Sequence, residues 1–192
     1  MAPVVKICCI ASVDEARLAV ASGAAVPPPT ETFLLTSRTQ AEAIAAQHRE
    51  AGTTALQLVD HVPHDDLRRL RALCPGVKLV QVIHVLGEAS IDEAVAVAPF
   101  VDAILLDSGN PHLAVKELGG TGRRHDWPTS RRIRDAVWPT PLFLAGGLRA
   151  DNVAEAIHTV QPFGLDLCSS VRSDGQLDGM KLQAFFAAVS AA

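Results

Sequence analysis

No stretch of this chain approaches the roughly 18–20 uninterrupted apolar residues of a membrane span, so no membrane partner is expected. A secretory pattern is also missing: Asp14, Glu15 and Arg17 interrupt any apolar region after Ile10. Cysteine is sparse. Four residues with no CxxC and no Cys/His ligand spacing suggest neither zinc nor a disulfide framework. Cys8 and Cys9, as neighbours on a strand, are expected to point to opposite faces and to be poorly placed to pair. Only 20% of residues are charged, and 17 basic against 21 acidic residues give a net charge of −4, which invites no nucleic acid. The Arg68-Arg69-Arg71 and Arg131-Arg132-Arg134 clusters have acidic neighbours in helical patterns and read as solvated helix faces. His61, His64, His84, His112, His125 and His158 share no ligand spacing, so no metal site is expected. A reduced cytoplasmic enzyme is the natural reading.

What the chain does have is a large apolar fraction, 48% over 192 residues, enough for one well-buried domain spanning residues 1–192. Short apolar runs alternate with helical patterns throughout. Strands are expected at Val4–Ile10, Glu31–Thr36, Thr54–Asp60, Lys78–Leu86, Val101–Ser108, Phe143–Ala145 and Leu165–Ser169. Helices are expected at Val13–Ser22, from Ser37 or Arg38 to Glu50, and at Asp65–Leu73, Ile91–Ala98, Ser130–Val137, Asp151–Val160 and Lys181–Ser190. Ser12 with Glu15 forms a capping-box pattern and Gly23 a stop. Strict alternation with near-continuous apolar strands means a parallel sheet covered by helices.

An open doubly wound sheet fits that pattern, but the polar strand tips are spread along the whole chain, and only a closed (β/α) TIM-type barrel brings them to one rim. The count is seven βα units, not eight. Between Gly23 and Thr30 lies only Ala24-Ala25-Val26-Pro27-Pro28-Pro29, where three prolines can neither continue a helix nor sit in a central strand. A whole βα unit, the second, is expected to be missing there.

Four strands end in groups capable of chemistry. Cys8 shares a strand face with Lys6, whose ammonium would favour the thiolate of a base or nucleophile; a buried structural cysteine is the other reading. Asp107 follows four apolar residues, Ala103-Ile104-Leu105-Leu106. It reads as a general acid whose pKa partial desolvation would raise, or as a loop-capping carboxylate bonded to nearby amides. Gly119-Gly120-Thr121-Gly122 and Gly146-Gly147 can bring backbone amides close to an anion, and Asp151-Asn152 open a helix whose N-terminal amides would add to this. Together with Ser169-Ser170 they point to a phosphorylated ligand. Asp126-Trp127 reads as structural.

At these residues the chain resembles the phosphoribosylanthranilate isomerases of tryptophan biosynthesis. Lys6-Ile7-Cys8-Cys9-Ile10 is similar to the family's K-I-C-G-I, and Leu105-Leu106-Asp107 to its L-L-D. Gly119-Gly120-Thr121-Gly122-Arg123 with Asp126-Trp127 resembles G-G-[ST]-G-K followed by D-W. Leu144-Ala145-Gly146-Gly147-Leu148 with Asn152-Val153, Asp166-Leu167-Cys168-Ser169-Ser170-Val171, and Gln57-Leu58 resemble further family motifs in order.

The resemblance implies an eight-stranded barrel that performs an Amadori rearrangement of N-(5-phosphoribosyl)anthranilate without metal or organic cofactor, as a monomer or homodimer. It implies that Asp107 is the general acid and Cys8 the general base. Gln57, Gly120, Gly122, Gly146, Gly147, Asn152, Ser169 and Ser170 would hold substrate and phosphate. The chain departs from the pattern at several points. Cys9 and Ser170 stand where the family has glycine, and strain follows if either needs φ > 0. Val59-Asp60 replaces His-Gly after Gln57-Leu58. The absent second unit would carry an arginine for the anthranilate carboxylate, and Arg38, which follows a later strand, is no substitute. The alternatives are an impaired homologue or truncated product that binds a phosphosugar, and a different phosphosugar isomerase on the same scaffold.

Overall fold

Strand and helix alternate because apolar runs too short for a helix are each followed by an amphipathic one. The computed structural model describes residues 2–22 and 31–192. Its strands are β1 (Val4–Ile7), β2 (Phe33–Thr36), β3 (Ala55–Leu58), β4 (Lys78–His84), β5 (Ala103–Asp107), β6 (Leu142–Leu144) and β7 (Gly164–Leu167). The helices are α1 (Val13–Ala21), α2 (Ala41–Ala51), α3 (His64–Leu73), α4 (Ala89–Val97), α5 (Trp127–Ala136), α6 (Val153–Val160) and α7 (Gly179–Ser190). A two-stranded antiparallel hairpin, β8 (Arg172–Ser173) and β9 (Gln176–Leu177), precedes α7 and has no counterpart in the sequence reading.

All seven strands of the main sheet run parallel in the order β1-β7-β6-β5-β4-β3-β2, curled into a half-barrel. A doubly wound sheet reverses direction part-way through; this order never does. It is the cyclic order of a barrel opened between β1 and β2, so those two strands are the sheet edges among the described residues. The expected deletion at Gly23–Thr30, and the Gly23 stop, lie outside the described residues.

Period-two alternation sends each strand's side chains to two apolar layers. On β4 and β5, Leu79, Ile83, Ile104 and Leu106 join the large core between sheet and helices. Val80, Val82, Ala103 and Leu105 pack inside the curl with Phe143, Ala145 and the half-buried Phe33. Burial on both faces is why these strands read as largely apolar runs.

Local capping shifts several boundaries. Helix α5 starts at Trp127 rather than Ser130, because Asp126 accepts the Thr129 N–H at 2.8 Å and Pro128 suits a first turn. Helix α2 starts later than expected. The Thr36 hydroxyl accepts from the Arg38 N–H and donates to Gln47, which holds the chain in a turn before Ala41. Ser12 caps α1 as expected, but Glu15 closes no capping box: its carboxylate takes the Ala11 and Leu177 N–H groups and the Arg172 guanidinium.

Candidate active site

The inward parity that places Ala103 and Leu105 inside the curl carries Asp107 to its C-terminal mouth. The same logic applies to Gln57 on β3, whose neighbours Leu56 and Leu58 face the helices, and to Lys6 and Cys8 along β1. Of these, Asp107, Gln57 and Cys8 line one cavity of about 290 Å³ at the C-terminal ends of the strands. Cys8, Asp107, Gln57, Gly120, Gly122, Gly146, Gly147, Ser169 and Ser170 all lie on its wall. Asn152 does not. Its amide donates to the Gly147 carbonyl at 2.9 Å and its oxygen accepts the Arg149 N–H at 2.8 Å, so it clamps the glycine turn from behind. Helix α6 correspondingly begins at Val153.

Asp107 accepts the Ser108 N–H at 2.7 Å through Oδ1. Its other oxygen faces the glycine loop closely: a Cβ on Gly119 would come within 2.8 Å of Oδ2. The loop is tied to the strand end by the Ser108 and Thr121 hydroxyls, 2.6 Å apart. Opposite, Gly147 sits at φ +65° with the Arg123–Arg124 backbone 2.8 Å from where a Cβ would be, so this turn admits only glycine. Gln57 Oε1 is buried in the wall and has no hydrogen-bond partner among the described residues.

The thiol side of the cavity departs from the sequence reading. Strand β1 ends at Ile7, and Cys9 takes a left-handed conformation, φ +61°. The alternation rule therefore stops applying, and Cys8 and Cys9 turn toward each other with their sulfurs 3.5 Å apart. Cys168, a residue the sequence reading left without a role, completes a group of three thiols whose sulfurs all lie within 4.8 Å of one another. The signal for it was long-range. β1 pairs with β7 in the register Ile7↔Leu167, so the residues that follow the two strands meet. Cysteine spacing along the chain could not show this, and the expectation that Cys8 and Cys9 point to opposite faces is corrected. Ser170, by contrast, lies in a short 3-10 turn, Ser169–Val171, and is not among the residues of positive φ. The strain anticipated there is absent.

Electrostatics set the thiol states apart. The Cys168 thiol hydrogen-bonded to Cys8, helped by the Lys6 ammonium and opposed by burial, holds the Cys8 thiol down at about 5. Cys168 is pushed up by the same hydrogen bond, and Cys9 by burial. Burial works against the charge on Lys6, but Asp166, 2.7 Å from its Nζ, outweighs it and raises the Lys6 pKa. Lys6 also lies over the Phe33 ring, 5.1 Å from its centroid, and so reaches from β1 to β2 across the opening in the sheet. Arg172 donates to the carbonyls of Cys8 and Cys9 and is itself held by Glu15 at 2.9 Å. An acidic side chain, a low-pKa thiol and glycine turns around one mouth can move protons on a bound phosphosugar.

Residues 8–188 match the family described as N-(5'phosphoribosyl)anthranilate (PRA) isomerase. The N-(5'-phosphoribosyl)anthranilate isomerase of Haloferax volcanii is 40% identical over 170 residues, 88% of this chain and 72% of that protein. The chain belongs to this family. Another member, isomerase 2 of Methanosarcina mazei, is 38% identical over 157 residues, 81% of this chain and 68% of the relative. Among solved structures, the Thermotoga maritima isomerase superposes with a TM-score of 0.81 at 25% identity, over 100% of both chains. A family structure in complex with reduced 1-(o-carboxyphenylamino)-1-deoxyribulose 5-phosphate gives 0.78 at 23% identity, likewise over 100% of both chains. These structural relatives are TIM-type (β/α)8 barrels.

Proposed function

We propose that this chain is a phosphoribosylanthranilate isomerase of tryptophan biosynthesis. It would convert N-(5-phosphoribosyl)anthranilate to 1-(2-carboxyphenylamino)-1-deoxyribulose 5-phosphate. In this reading Asp107 gives a proton to the ribose ring oxygen as the C1–O bond breaks and the nitrogen lone pair forms C1=N. The Cys8 thiolate then takes the C2 proton, and the C–H electrons move toward C1=N to give an enolamine. Protonation at C1 and loss of the C2 hydroxyl proton deliver the ketone, which closes the proton count without an oxidant or a metal. Gly146-Gly147, Ser169-Ser170, Gly120 and Gly122 form the phosphate and substrate wall, with Gln57 facing them and Asn152 holding the glycine turn. The observation that carries this reading is that Cys8 and Asp107 share one cavity with the glycine turns. A relative solved with a reduced product analogue supports the substrate.

The finer reading is a single barrel domain over residues 1–192 that lacks the second βα unit. The sheet supports it, because its cyclic order is interrupted between β1 and β2 and nowhere else among the described residues. Among the described residues no helix is long and apolar enough to cross a membrane, and four free cysteines suit the reducing cytoplasm. The same opening in the sheet favours a second reading, a relative that binds the phosphosugar but turns it over poorly, and exposed strand edges would favour association as a homodimer.

The test is turnover of the anthranilate substrate by the purified chain, alongside growth of a tryptophan-requiring strain that lacks the isomerase. Cys8→Ala and Asp107→Asn are each expected to lower kcat by at least about 100-fold with unchanged circular dichroism. Wild-type rates in either variant would overturn the roles. Binding of the product analogue without turnover would select the second reading.

A further inference from the structure

The proposed isomerase needs one thiolate, yet the mouth of the half-barrel holds three thiols. We propose that Cys8, Cys9 and Cys168 form a binding site for a single thiophilic d10 cation, with Zn²⁺ as its ordinary occupant.

Geometry carries this. Zinc–sulfur bonds of about 2.3 Å place the sulfurs of a three-thiolate site about 3.8–4.0 Å apart. The Cys8–Cys9 separation is 3.5 Å, and all three sulfurs fall within 4.8 Å of one another. Small χ1 adjustments therefore close the set around a metal. The ligands come from two adjacent, registered strand ends, with Cys8 N–H bonded to the Leu167 carbonyl at 2.7 Å. The backbone that presents them is thus fixed. Cys9 carries its side chain at φ +61°, a conformation open to glycine without cost. Its sulfur lies 3.5 Å from that of Cys8, and Arg172 holds the carbonyls of Cys8 and Cys9 in place.

Access and donor chemistry agree with a cation. All three residues line the open cavity, so the metal has an entry path and its fourth position faces solvent or substrate. Soft sulfur donors select Zn²⁺, Cd²⁺ or Cu⁺ over Mg²⁺. A bound metal would occupy the sulfur of Cys8. Zinc then inhibits the isomerase, a consequence that rests on the proposed role of Cys8, whereas the binding itself does not.

The experiment titrates Cd²⁺ into the full chain after reduction with a phosphine and removal of metals by chelator. The readout is the sulfur-to-metal charge-transfer absorbance in the ultraviolet, and Zn²⁺ is measured by competition. One equivalent per chain is expected, with Mg²⁺ unable to compete. Cys9→Gly and Cys168→Ser should each weaken Cd²⁺ binding by about 10-fold or more. Cys74→Ser, remote at the end of α3, should leave it unchanged. Absence of the band, or Cd²⁺ affinity in Cys9→Gly and Cys168→Ser unchanged from the unsubstituted chain, overturns the site. Turnover separates the two proposals. A chain that binds Cd²⁺ but never turns over loses the isomerase reading alone. A chain that turns over but shows no charge-transfer band with Cd²⁺ loses the metal site alone.

Discussion

Asp107 and Cys8 open onto the same cavity from two differently built parts of the molecule. Asp107 ends β5, in the middle of the sheet, where Ala103, Ile104, Leu105 and Leu106 are all buried and both flanking strands are present. Cys8 follows β1, whose only sheet neighbour among the described residues is β7 and of whose residues only Val5 is buried. Apolar area holds the first. The second is held by ions and hydrogen bonds: Lys6 to Asp166, and Arg172 to Glu15 and the carbonyls of Cys8 and Cys9. The acid is anchored by the core, and the thiol by charges in and around the mouth.

The largest expected effect breaks the comparison at its apolar end. Leu106→Ala deletes a fully buried side chain from the central strand, and should cost about 2–5 kcal/mol in denaturant unfolding. Leu34→Ala makes the same chemical change on the opposite edge strand, where the residue is half-buried, and should cost about 1 kcal/mol. Equal losses would mean that the edges are as tightly built as the centre.

A second, smaller effect sharpens the comparison at its charged end. Since Cys8 titrates near 5 against an ordinary 9, its thiolate forms as pH rises through about 5. Its alkylation rate should climb through that range and level off well below neutrality. Cys9 and Cys74, both raised, should react only in the alkaline range. Cys168→Ala removes the largest cause and Lys6→Met the next favourable one, so both should move the Cys8 profile upward, the first further. Mass-resolved alkylation against pH measures this. A Cys8 midpoint that stays near 5 in both variants would refute the electrostatic account.

The same contrast decides what was legible in the sequence. Strands β3 to β7 were readable because burial on both faces leaves largely apolar runs such as Ala103–Leu106, and Asp107 was readable because a carboxylate after four apolar residues marks a strand end. Glycines 146 and 147 were readable because their turn admits no side chain. The thiol cluster was not. It depends on β1 lying beside β7, a contact between opposite ends of the chain, and on one left-handed residue that cancels strand alternation at Cys9. Asn152 was placed on the correct turn but on its outer side, because a motif fixes a position and not which way an amide points. The hairpin Arg172–Leu177 went unread since two-residue strands carry no periodicity.

The smallest effect comes from that left-handed residue. An L side chain at φ +61° costs about 1–2 kcal/mol relative to glycine. Replacing it by glycine also frees the unfolded chain, at a cost of about 0.4–1 kcal/mol. Cys9→Gly, measured with chelator present so that no metal contributes, should therefore raise stability by about 1 kcal/mol or less, or about 2–4 °C in Tm. If it instead lowers stability, the Cys9 thiol contributes more to the folded mouth through Cys8 and Cys168 than its backbone loses. The edge would then be held by sulfur as well as by charge.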